Sequence, residues 1–250
     1  MRKLYWFSLV VVLAVGCKSE SDVGPAEDPT FIRYLGSENN NVAVLAEEAG
    51  DGITLLSYSE IAGDIVGDVS YQVKLIHLDA FGNMLWEKNY PENDDKTKLQ
   101  IRASSFISLK DLTGALTGYL LIGDSINADG TTKLQLVYTD VNGENPVYNT
   151  IASPSPTVSF QGRAVIKDNT GDFVVLAKVN GDPNNDMFVA KILASNISTQ
   201  VKTLPLVWSK TYGAGVSSLI NRLYTNSSQN YFWGGSVKNA NTLKNDIRLI

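Results

Sequence analysis

Cysteine and histidine are nearly missing from this chain, which removes several chemistries at once. One cysteine, Cys17, in 250 residues cannot close an intrachain disulfide, so the fold must stand on its hydrophobic core. One histidine, His77, leaves no partners for a Ser-His-Asp triad or for a zinc site built on several imidazoles. The net charge is −5 with no basic run, so electrostatic capture of nucleic acid is not expected. No G-x-x-x-x-G-K or G-x-G-x-x-G stands between a strand and a helix, and long amphipathic helical periods are absent. The apolar run at residues 4–15 is too short to span a bilayer comfortably.

Glycine, asparagine, threonine and serine are plentiful, and short strand signals alternate with turn signals. That is an all-β composition. The stretch 71–90 sets the pattern: two strands around Asp79-Ala80-Phe81-Gly82-Asn83, an Asp to close the turn and a Gly for positive φ. Before it, strands are expected at 31–35, 42–47 and 53–59. After it they are expected at 101–109, 119–125, 133–139 and 146–151, then at 163–167, 173–179, 187–193 and 206–212, and last at 217–225, 231–237 and 246–250.

The segments repeat. Trp86-Glu87-Lys88-Asn89-Tyr90 and Trp208-Ser209-Lys210-Thr211-Tyr212 share W-x-K-x-Y, and Gly118-Tyr119-Leu120-Leu121-Ile122-Gly123-Asp124-Ser125 matches Asn230-Tyr231-Phe232-Trp233-Gly234-Gly235-Ser236. Four strands in roughly 50–60 residues suit a β-propeller of four-stranded antiparallel blades, about four in number. A sandwich of unrelated hairpins accounts for the strands but not for the returning W-x-K-x-Y. The second repeat has Val147-Tyr148 where Trp is expected, and the third has residues 193–204 in place of a tight turn. Residues 31–36, x-I-x-Y-x-G, look like an orphan outer strand that joins the C-terminal blade and closes the ring. The alternative is an incomplete part of a larger propeller.

Two resemblances extend this reading. Arg2 and Lys3, the apolar run, and Leu13-Ala14-Val15-Gly16-Cys17 resemble a bacterial lipoprotein signal with its lipobox. The likeness implies a signal peptide at 1–16, lipidation of Cys17, a flexible tether at 17–29 and a propeller domain at 30–250. Lys18-Ser19-Glu20-Ser21-Asp22 resembles the surface-export signal of Bacteroidota lipoproteins, and the repeats resemble those of Bacteroidota propeller lipoproteins. Together they imply an outer-membrane lipoprotein exposed at the cell surface, with an inner-leaflet location as the alternative. A rigid disc that holds variable loops at one face is in turn expected to bind or scaffold a protein or glycan partner.

Candidate chemistry is sparse. His77 lies at the parity of Val73 and Leu75 and reads as a hydrogen-bonded side chain on one sheet face. Asp64, Asp68, Asp124, Asp129, Asp182 and Asp186 read as loop carboxylates, which a glycosidase could pair but which turns also favour. Asp64, Asp68, Asp129 and Trp233 are the ligand-binding candidates. The loop holding Asp182 and Asp186, and the loop 140–145, are oxygen-rich candidates for Ca2+ without EF-hand spacing. Trp86 and Trp208 sit at equivalent repeat positions, as packing between blades requires. A carbohydrate-active enzyme and a purely structural envelope component are the competing functions; no catalytic residue is assigned.

Overall fold

The computed structural model describes residues 39–62, 69–91, 100–127, 130–152, 158–181, 187–201, 203–212, 218–228, 230–238 and 245–249. Within them the chain is all-β and runs as successive antiparallel meanders. The first sheet holds β1 (Asn40–Ala49), β2 (Gly52–Ala62), β3 (Val69–Asp79) and β4 (Met84–Tyr90). The second holds β5 (Gln100–Lys110), β6 (Leu116–Ile126), β7 (Thr132–Asp140) and β8 (Val147–Ile151). The third holds β9 (Ser159–Lys167), β10 (Phe173–Asn180), β11 (Met187–Ile192) and β12 (Trp208–Tyr212). The fourth shows β13 (Ser218–Thr225), β14 (Tyr231–Lys238) and β15 (Asn245–Leu249). The expected strand at 31–35 lies outside the described residues.

One turn recurs. An Asp or Asn ends a strand, its N–H donates to the carbonyl four residues on, and its side-chain oxygen accepts the N–H groups two and four residues on. Asp79 does so with Phe81 and Asn83, Asp111 with Thr113 and Ala115, Asp140 with Asn142 and Glu144, and Asn226 with Ser228 and Asn230. A short polar side chain thus replaces ladder partners that the backbone loses on reversing. Gly82, Gly114, Gly143 and Gly171 hold the positive φ that each reversal needs. Gly143 carries a second constraint: a Cβ there would lie 2.9 Å from the Tyr90 hydroxyl and 3.0 Å from both Lys88 and Trp86. Gly114 has the same sign of φ, and nothing lies within 4 Å of its would-be Cβ. Gly114→Ala should therefore cost about 1 kcal/mol and Gly143→Ala about 2–3 kcal/mol in urea unfolding, the difference measuring contact between sheets. Equal losses would mean that this contact is not formed.

The long apolar runs in central strands follow from burial on both faces. On β6, Tyr119 and Leu121 join a core with Leu56, Val73 and Leu75 of the first sheet, whereas Leu120 and Ile122 join a core with Phe160, Val165 and Val175 of the third. On β10, Phe173, Val175 and Ala177 face the second sheet, and Val174 and Leu176 share a core with Leu223 of the fourth. Period-two alternation here sorts residues between two apolar neighbours rather than between core and water.

The repeat landmarks lie at these junctions. Trp86 meets the Tyr119 ring edge-on at 5.9 Å, and Trp208 meets Tyr231 at 5.7 Å. The W-x-K-x-Y side chains also reach the next sheet, Tyr90 donating its hydroxyl to the Gly143 carbonyl (2.6 Å) and Lys88 pairing with Glu144 (3.0 Å). Opposite each Trp stands a polar residue, His77 across from Trp86 and Lys191 across from Trp208. His77 is buried, stacked on Trp86, with Nδ1 2.9 Å from the Thr54 hydroxyl. Lys191 instead reaches Asp168 (2.7 Å), Asp172 (3.2 Å) and the Thr170 hydroxyl (2.8 Å). Where the third repeat lacks a tight turn, the segment between β11 and β12 lies over β8. Asn149 holds it by donating to the carbonyls of Ile197 and Thr199 and accepting the Val201 N–H.

Candidate functional site

The first strand of every sheet slips register at a corresponding place, and the β5–β6 ladder shifts a second time where Thr117 of β6 is skipped. The ladder skips Val44 on β1, Ser104 on β5, Arg163 on β9 and Asn221 on β13. A β-bulge leaves an extra residue unpaired and bends its strand, which is how sheets re-aim side chains. The first strands are also neighbours, β5 packing against β1 and β9, and β9 against β13. The bulges of β1, β5 and β9 consequently meet at an open cleft of about 510 Å³, which Tyr58, Arg102, Asp124 and Gln161 also line.

Asp124 is the buried anchor of this cleft, only 2 % exposed. Its Oδ2 accepts from Arg102 Nη2 at 2.8 Å, and its Oδ1 accepts the Gly162 N–H, which ties the second sheet to the first strand of the third. Asp124 corrects its grouping with the loop carboxylates: it lies inside β6, paired to β5 and β7, within the strand expected at 119–125. Burial raises the Asp124 pKa above the ordinary carboxylate value, against the pull of Arg102 and the Gly162 N–H. A Cβ at Gly162 would come within 3.2–3.3 Å of Leu134, Ile122 and the Ser104 hydroxyl, so a side chain there requires these neighbours to give by a few tenths of an ångström.

The two arginines differ in how they are held. Burial opposes the charge on Arg102, but the bond and charge of Asp124 outweigh it and raise its pKa. Its guanidinium also stands 5.8 Å from the Tyr71 ring centroid, a cation–π distance. Arg163 donates from Nη2 to Gln161 Oε1 at 3.0 Å, and its Nε is buried with no hydrogen-bond partner. Burial, reinforced by the Arg102 charge, pulls its pKa down despite Asp124. Both guanidinium groups nonetheless stay charged at neutral pH.

Of the residues singled out from the sequence, Asp124 lines this cleft. Cys17, Asp64, Asp68, Asp129, Asp182 and Asp186 lie outside the described residues. Trp233 is on β14, paired with Leu223, its side chain outside the description. Asp140, the candidate calcium residue that is described, spends Oδ1 on its turn and Oδ2 on Asn145 Nδ2 (2.8 Å). Among the described residues no cluster of three or more His, Cys, Asp or Glu side chains is arranged to hold a metal ion. His77 stands where its parity with Val73 and Leu75 put it, as a hydrogen-bonded side chain at the junction of two sheets. Arg102 and Arg163 were missed because the bulges that bring them together leave no turn residue in the sequence.

No protein family matches the chain, and no curated protein does. Among solved structures it is similar to a crystal structure of a protein of unknown function from Dyadobacter fermentans DSM 18053, with a TM-score of 0.56 at 13 % identity. The likeness covers 82 % of this chain and 58 % of that one, so this chain spans less than two thirds of its neighbour's length. At that identity the likeness is one of fold: an all-β chain of successive antiparallel sheets.

Proposed function

We propose that the sheets are blades of a β-propeller, held at the bacterial envelope by a lipid on Cys17, and that the domain is a binding or scaffold module rather than an enzyme. Three features support the propeller: neighbouring first strands, sheets buried on both faces, and Trp–Tyr contacts that recur from one junction to another. The cleft carries the functional reading. Among the described residues it is lined by guanidinium, phenol, amide and hydroxyl groups and by one carboxylate, both oxygens of which are committed to structural partners. Such a lining recognises a polar ligand; a glycosidase would need two carboxyl groups facing one bond.

Two measurements test this. In a Gram-negative host the full chain should incorporate labelled palmitate and lose the label in Cys17→Ser; an unlabelled parent would refute the anchor. In a thermal-shift screen of glycans and peptides, a true ligand at about 100 times its Kd should add about 2.7 kcal/mol of stability. Turnover of chromogenic glycosides, abolished by Asp124→Asn, would replace the binding reading with an enzymatic one.

A further inference from the structure

We propose that the cleft at the first strands binds a small polar molecule through its oxyanion, a carboxylate or phosphoryl group, held by Arg163 and Arg102. This rests on the reading of the chain as a binding module and names the class of ligand. Among the described residues two guanidinium groups and one carboxylate line the cleft, a surplus of one positive charge in a chain whose net charge is −5. Asp124 cannot absorb the surplus, because Arg102 and the Gly162 N–H already occupy its two oxygens. Arg163 is the group left short, with Gln161 as its side-chain partner and a buried Nε that donates to nothing. A cation taken from water without a counterion bears a desolvation cost that a bound anion offsets. The planar guanidinium fork meets two oxygens of a carboxylate or phosphate at once. The Tyr58 phenol, whose pKa burial and Glu60 raise, keeps its proton and adds a neutral donor, and the Ser104 hydroxyl on the bulge adds another. A volume of about 510 Å³ exceeds what a bare ion fills and suits a molecule of sugar size.

The test is calorimetric titration of the full chain, held in detergent, with glucuronate, glucose 6-phosphate and glucose. At least one of the two acids should bind saturably, more weakly as salt is raised, and glucose should not bind. Whichever acid binds distinguishes a carboxylate from a phosphoryl ligand. Arg163→Leu should weaken that binding by about tenfold or more, since a charge-assisted bidentate contact is lost. The same variant should melt no lower than the parent, because the cation removed forms no ion pair among the described residues. Tyr58→Phe, which keeps both arginines, should weaken binding by about threefold. If neither acid binds, or if Arg163→Leu binds as the parent does, the oxyanion site is wrong. A neutral glycan or peptide that binds equally well to Arg163→Leu would refute the oxyanion site while sparing the binding module.

Discussion

Asp168→Ala should lose about 3–5 kcal/mol of unfolding free energy at neutral pH, because one buried carboxylate there holds a turn, a lysine and the next sheet together. The side chain is 0 % exposed. Its Oδ1 accepts the N–H groups of Thr170 and Asp172 and the Thr170 hydroxyl, and its Oδ2 accepts Lys191 Nζ at 2.7 Å and the Tyr231 hydroxyl at 2.9 Å. Burial alone would raise its pKa; Lys191, Thr170 and Tyr231 outweigh burial and lower it from 3.8 to about 2. A folded pKa below the unfolded one contributes stability that is present above pH 3.8 and lost as pH falls through about 2. The shift corresponds to roughly 2 kcal/mol at neutral pH. Asp168→Asn keeps the Oδ1 acceptor for the turn but loses the charge. It should be less damaging than Ala at pH 7, and the loss of stability between pH 4 and 2 should be shallower than in the parent. Urea melts at pH 7 and across the acid range measure both. An alanine variant within about 1 kcal/mol of the parent would show that Lys191 and Tyr231 find other partners in water.

This cluster also shows how far the sequence can be read. The Asp-x-x-Gly signal located the turn at Asp79, and the same spacing closes the turns at Asp111, Asp140 and Asp168, because a carboxylate closing a reversal and a glycine at positive φ are local requirements. The four-strand order was legible for the same reason. Trp86 and Trp208 were legible as packing residues because the repeat placed each before the Tyr of the following sheet. That Asp168 would also bind Lys191 and Tyr231 was not, since the first contact reaches a residue of its own sheet that is distant in sequence and the second depends on how two sheets meet. The cleft was hidden more thoroughly. Val44, Ser104, Arg163 and Asn221 sit in ordinary strand sequence, and only pairing with a neighbouring strand reveals the skipped residue. Asp124 was grouped with the loop carboxylates although it fell inside the strand expected at 119–125, because nothing in the sequence shows that the arginine that neutralises it lies across the ladder.

Removing Asp124 should be nearly as costly as removing Asp168 but should answer differently to pH and to a second mutation. Asp124→Ala leaves Arg102 and Arg163 in one cleft with no carboxylate between them and deprives the Gly162 N–H of its acceptor. Breaking a buried pair from one side costs about 3–5 kcal/mol, most of it the penalty of the charge left behind, and the lower end applies here because the Arg102 side chain left behind is 30 % exposed. Replacing both partners, as in Arg102→Met/Asp124→Leu, removes that penalty and should recover all but about 1–2 kcal/mol. The cycle of parent, two single variants and double variant should therefore be strongly non-additive; simple addition would mean that the pair is not formed in solution. The pH response follows from the direction of the shift. With its folded pKa raised by burial, Asp124 contributes stability that is present below its unfolded value and lost as pH rises through the folded one. Its contribution therefore opposes that of Asp168, and Asp124→Asn should steepen the parent's acid destabilisation where Asp168→Asn flattens it. Asp124→Asn also leaves the cleft one positive charge richer while keeping an oxygen for the Gly162 N–H. An oxyanion held by Arg163 and Arg102 should bind that variant more tightly than the parent, even though the folded chain is less stable. Weaker stability with stronger binding is an outcome that general damage to the fold does not produce.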